Sequence, residues 1–188
     1  MISKSLLTVL LILEFLLVTG RAQSPISLPN ESLRGLKNIA VVIDDVGTFA
    51  HPVGATADTP EPSQMKMNIE LQLRKAGFNV IGSEDQVQKD KVPSLHVTLK
   101  AQKDGAGYNY YSLRIQLLQE VLLQRTPSVT VQASTWEGGA TGQGFGKNIF
   151  QRTTCQVVAF FILSYNTING GATPGKRPSV EDLMCLER

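Results

Sequence analysis

"SLHVTLKAQKDGAGYNYYSLRIQLLQEVLL", residues 94–123, decides the class of this fold. Leu95, Val97, Leu99 and Ala101 alternate with His96, Thr98 and Lys100. Beyond the Asp104-Gly105 pair, Tyr111, Leu113, Ile115 and Leu117 alternate with Ser112, Arg114 and Gln116. A period of two belongs to a strand whose two faces meet different surroundings. Asp-Gly between two such runs marks a hairpin. The stretch therefore predicts an antiparallel pair with one face on a core and the other in water.

Working outward, "RTP" at 125–127 turns the chain again, and "SVTVQASTW" at 128–136 continues the meander with Val129, Val131, Ala133 and Thr135 inward. On the N-terminal side, Ile39 to Ile43 form a continuous apolar run. Such a run suits a central strand covered on both faces. "GTFAHPVGATADTPEPSQ", 47–64, is loop by its Gly, Pro and Thr content. "MKMNIELQLRKAG", 65–77, alternates like a strand, yet its Met, Lys, Glu, Leu, Gln and Arg are strong helix formers. Helix is the better reading, capped by Ser63 at its start and stopped by Gly77. "FNVIG", 78–82, is a short strand, and "SEDQVQKDK", 83–91, a polar connection.

Toward the C-terminus, "NIFQRTTCQVVAFFILSYNTI", 148–168, places Phe150, Val157, Phe161, Tyr165 and Ile168 on one helical face. The expected fold class is α+β: a mixed sheet of about five strands in the order β-α-β-β-β-β-α, with two helices packed on one face. The domain is expected over 37–169, with a linker at 23–36 and a flexible tail at 170–188.

The first residues, "MISKSLLTVLLILEFLLVTGRAQ", set Lys4 before a leucine-rich stretch and end in Gly20-Arg21-Ala22. That is the grammar of a secretory signal peptide over 1–22, so the protein is expected to be periplasmic or secreted. Glu14 interrupts the apolar stretch; an uncleaved segment would instead tether the domain to a membrane. Export permits a disulfide between Cys155 and Cys185. Their placement, one in an apolar helix and one in a polar tail, favours two free thiols.

Lys and Arg number 18 against 16 Asp and Glu. A net charge of +2 carries no concentrated basic face for nucleic acid. "WEGGATGQGFGK", 136–147, invites comparison with a phosphate loop, but that motif requires glycine where Thr141 stands and a hydroxyl where Asn148 stands. It reads as a strand-to-helix connector whose glycines permit positive φ. No G-x-S-x-G occurs, and two histidines leave little room for a Ser-His-Asp triad.

Asp44 and Asp45 at the end of the first strand, with His51 in the loop beyond, are the candidates for metal or catalytic chemistry, since carboxylate and imidazole together suit divalent transition ions. Tyr110, Arg114 and Trp136 are the candidates for a binding face, as aromatic and Arg side chains dominate protein contacts.

The segments "LKNIAVVIDDV", "LQLRKAGFNVI", "SLHVTLKAQ", "YSLRIQLLQEVLL" and "VTVQASTW" resemble, in that order, uncharacterised secreted bacterial α+β proteins. They are distantly similar to the N-terminal domain of the periplasmic TolB family. The resemblance spans roughly residues 37–168, implies an envelope interaction domain, and carries over no functional residue. The expectation is an exported, non-catalytic binding module, without cofactor, whose partner is a protein or cell-envelope component. Two other readings stand beside it: a metal- or ligand-binding protein or enzyme using Asp44, Asp45 and His51, and a homo-oligomeric structural protein.

Overall fold

The computed structural model describes residues 31–49, 59–82, 87, 91–146 and 148–170. Strand β1 (Asn38–Gly47) leads to helix α1 (Pro62–Lys75) and the short strand β2 (Asn79–Ile81). Strands β3 (Ser94–Lys103), β4 (Asn109–Leu123) and β5 (Thr126–Gly144) follow, then helix α2 (Asn148–Ile168). They form one five-stranded sheet in the order β2-β1-β3-β4-β5. β1 runs parallel to both β2 and β3, whereas β3, β4 and β5 form an antiparallel meander. The fold is α+β, as the alternation predicts.

The period-two pattern of β3 and β4 is realised in the expected sense. Leu95, Val97, Leu99 and Ala101 are buried, as are Leu113, Ile115 and Leu117, and they pair across the two strands. They share one core with Ile69 and Leu73 of α1 and with Phe150, Val158, Phe161 and Ile162 of α2. The helices thus cover one face of the sheet.

α1 resolves the ambiguity of its own sequence in favour of the helix. Met65, Ile69, Gln72 and Leu73 are buried at helical spacing, while Met67 and Leu71, which complete the strand-like alternation, face solvent. The helix begins at Pro62, whose missing N–H costs nothing in the first turn. The cap position belongs to Glu61, without a side-chain bond, rather than to Ser63. At the other end Gly77 takes φ +93°. Phe78 N–H then donates to Leu73 O and Gly77 N–H to Arg74 O, the bond pair of a left-handed helix stop.

The glycine-rich stretch corrects the sequence reading. Residues 136–144 are not a connector: they are the second half of β5, paired with β4 from Leu117↔Trp136 to Asn109↔Gly144. Two of these glycines make room for aromatic rings. A Cβ on Gly138 would meet the Trp136 indole at 2.5 Å, and one on Gly142 would meet the Tyr111 hydroxyl at 2.7 Å. Only Gly146, at φ +77°, uses positive φ, at the entry to α2.

Residues 31–36, expected as the end of a linker, belong to the domain. Glu31–Leu33 form a short 3-10 turn, and Leu33 and Leu36 are buried in the core. Asn169 ties this turn to the end of α2, donating to Leu33 O and accepting from Gly35 N–H. Cys155 is buried and disulfide-bonded, against the expectation of a free thiol. Cys185, the chain's other cysteine, lies outside the described residues, as do residues 1–22, His51 and the tail from 171.

Candidate functional site

The face of the sheet opposite the helices carries the polar side chains, and a bulge in β1 turns both Asp44 and Asp45 toward it. β1 and β3 stay in step from Ala40↔Ser94 to Ile43↔Val97, and pairing resumes at Asp45↔Thr98, so Asp44 is an extra residue. An inserted residue breaks the strict alternation of faces. Ile43 and Val46 both pack on the core. The two successive aspartates both reach partners on the polar face of β3.

Asp44 Oδ1 lies 2.8 Å from His96 Nδ1, and His96 Nε2 lies 3.0 Å from Ser94 Oγ. Asp45 pairs instead with Lys100. A carboxylate only accepts, so a neutral His96 carries its proton on Nδ1 and accepts the Ser94 hydroxyl at Nε2. Ser94 and His96 look into a cavity of about 470 Å³, also lined by Val42, Lys66, Ile81 and Gln132.

The row has the residue types of a nucleophilic triad but the reverse of its exposure. Such a site needs a sheltered carboxylate and an accessible hydroxyl. Here Ser94 is only 4% exposed, while the Asp44 side chain is 41% exposed. The geometry fits a polar brace that ties β1 to β3. Among the described residues no group of three or more His, Cys, Asp or Glu side chains could hold a metal. Asp44 and Asp45 are each committed to a partner on β3, and His51 lies outside the described residues.

The three candidate binding residues do not share a surface. Tyr110 and Arg114 stand on the polar face. The Tyr110 hydroxyl donates to Asp104 Oδ2 at 3.3 Å. Its own ionisation is pushed up, first by partial desolvation and then by the Asp104 charge. Arg114 forks onto Glu137, with both N–H···O distances 2.9 Å, and Gln116 donates to the same carboxylate at 3.1 Å. That fork holds the Glu137 carboxyl below the usual carboxylate range and raises the Arg114 guanidinium further. Trp136 points the other way: it is 5% exposed, with its ring 5.0 Å from Phe161 and 6.1 Å from Phe160. It belongs to the core and not to a binding face.

What the sequence reading did not place is the sheet's open edge. β5 is 19 residues long and closes the sheet on one side, whereas the opposite edge, β2, has three. β3 ends its pairing at Ser94↔Leu118. β4 and β5 run on as a two-stranded ribbon through Val121↔Val131 and Leu122↔Thr130. A second bulge marks where the ribbon leaves the domain: Leu117 pairs with Trp136 but Leu118 with Ser134, leaving Thr135 over. Gln119 donates to Thr135 Oγ1 at 2.7 Å and to Ser32 O at 3.1 Å, while Ser32 donates to Thr135 O at 3.1 Å. The 3-10 turn thereby clamps the ribbon's root.

Through this bulge Val129, Val131 and Ala133 keep the helix-side face expected for them, yet the core does not extend to the ribbon's valines. Val129 is 41% and Val131 37% exposed, and Leu122 and Leu123 on the facing strand are also exposed. The signal available in the sequence was the absence of any charge from Thr126 to Trp136.

No protein-family model matches the chain, and no curated protein matches it. Among solved structures, it is similar to the PelC dodecamer from Paraburkholderia phytofirmans at a TM-score of 0.40 and 16% identity, covering 70% of this chain and 89% of that one. A substituted form of the same PelC dodecamer matches at a TM-score of 0.40 and 15% identity, over 70% and 88% of the two chains. Likeness at this level assigns this chain neither family nor role.

Proposed function

We propose that this chain is an exported, non-catalytic binding module that holds a protein partner of the cell envelope along strand β5. The observation that carries the reading is the long outer edge of β5, uncharged from Thr126 to Trp136. An edge strand presents unpaired backbone N–H and C=O groups, and folds that avoid association blunt it with charge, proline or cover. Pro127 stands only at the strand's start, and the one charged residue in β5, Glu137, is engaged by Arg114. An extended segment added to such an edge gains main-chain hydrogen bonds, with specificity from alternate side chains. The signal-like first 22 residues support the same setting. The nearly neutral charge balance argues against nucleic acid.

The test is photo-crosslinking in the native host from Thr130 on the ribbon, with Asn79 on the short β2 edge as the control. Adducts to one defined partner protein, a second copy of this chain included, are expected from Thr130 alone. Silence at Thr130, with Val131→Lys cells indistinguishable from wild type, would end the reading. The intact mass of the same material reports export, with a chain beginning at Gln23 expected in the soluble envelope fraction.

A further inference from the structure

We infer that the partner on β5 is a second copy of this chain, added antiparallel about a two-fold axis at Val131; this rests on β5 being the binding edge. Three observations choose that occupant.

First, the edges are mismatched. A head-to-tail arrangement would lay β5 of one copy on β2 of the next, and β2 offers only three residues to the stretch of β5 from Thr126 to Ser134, N-terminal of its bulge. Only another β5 matches its length. Pairing of like edges about a two-fold axis also closes at two copies, whereas head-to-tail pairing need not close.

Second, the window is self-compatible in charge. Residues 126–136 carry no charge, so two antiparallel copies meet without like-charge repulsion, which otherwise destabilises directly opposed residues. "SVTVQAS" holds no charge, proline or glycine and carries β-branched Val129, Thr130 and Val131 in a row, a composition that favours pairing of identical edges when left exposed.

Third, the faces specify the register. A two-fold axis perpendicular to the sheet keeps each face on its own side, so odd residues must oppose odd ones. Centred on Val131, the register sets Val131 against Val131 of the second copy, Val129 against Ala133, and Thr130 against Gln132. The exposed apolar stripe then meets its own image, and the polar stripe likewise. Ser32 occupies the Thr135 carbonyl, which limits the free edge to the ribbon N-terminal of the bulge and places its middle at about this residue.

Light scattering on the chain purified from its host, over a range of concentrations, is the experiment. A dimer is expected, and Val129→Lys with Val131→Lys, at exposed positions outside the core, should yield a folded monomer. Val131→Cys reads the register directly. Among the described residues no cysteine is free, and directly opposed strand positions lie within disulfide reach. It should oxidise to a covalent dimer, while Gln143→Cys should not. A wild-type monomer at every concentration overturns the second-copy inference. So does a dimer that survives both lysines while Val131→Cys fails to cross-link, because its interface then lies elsewhere. A monomer that still gives Thr130 adducts to a foreign protein overturns this inference alone; a monomer with none removes the binding-edge reading as well.

Discussion

The indole of Trp136 lies over Gly138, two residues along β5 on the same face, so that a Cβ on the glycine would stand 2.5 Å from Trp136 Cη2. Trp136 is itself wedged against Phe161 at 5.0 Å and is nearly fully buried, so the ring has nowhere to swing. Gly138→Ala is therefore expected to destabilise the domain by about 1–3 kcal/mol, the usual cost of overpacking. Denaturant unfolding checks this. Gly105→Ala, with nothing within 4 Å of its would-be Cβ, should cost distinctly less.

Phe161 is the side chain on which the two layers meet. It is fully buried and touches Trp136 of the sheet and Phe78 beyond α1. Phe161→Ala should cost about 3–5 kcal/mol. Phe160→Ala, on the half-exposed flank of the same helix, should cost clearly less in the same unfolding assay.

Acid should loosen the polar face at Glu137. Its carboxyl is held below the ordinary carboxylate range chiefly by the hydrogen bonds from Arg114. A group depressed on folding stabilises the protein fully above its unfolded value, and that stabilisation is lost as pH falls through the folded value. The contribution is small, because both side chains are about half exposed to solvent screening. Glu137→Gln should flatten this part of the acid limb of a stability-versus-pH curve and leave neutral-pH folding intact.

His96 should show one tautomer. With Asp44 Oδ1 at Nδ1 and Ser94 Oγ at Nε2, the neutral ring protonates on Nδ1. Nitrogen-15 shifts of the ring report this directly. Asp44→Ala should mix the two tautomers, and Ser94→Ala should leave the Nδ1 proton in place. A wild-type ring protonated on Nε2 would contradict the brace described here.

Ser94 should not behave as an activated nucleophile. Its hydroxyl is sheltered while the carboxylate of the row is open to solvent. A fluorophosphonate probe is expected to leave the folded protein unlabelled, as judged by the mass of the peptide containing Ser94.

Local pattern and tertiary arrangement divide the account of this protein cleanly. The alternation in β3 and β4, the helix formers of α1 and the apolar face of α2 are local facts, since the pitch of each backbone decides which side chains share a side. From them the α+β class, the element order and most of the core follow from sequence alone. The two bulges do not. An extra residue at Asp44 or Thr135 leaves no mark on composition, yet it redirects the side chains on one side of it, and only the register with the neighbouring strand reveals it. That is why Trp136, set one place past an odd-numbered stripe, turned out to be core, and why Asp44 found His96 on β3, 52 residues away in the chain. The glycines of 138–144 read as loop because their usual virtue is backbone freedom; in the structure their virtue is the missing Cβ, which leaves room for the rings of Trp136 and Tyr111, the Leu113 carbonyl and Ile149. The open edge of β5 is likewise a property of order in the sheet. Strand length and lack of charge can be read from the residues, but which strand lies outermost is decided by the pairing of β1 with β3 across a crossover, a contact that no stretch of sequence contains.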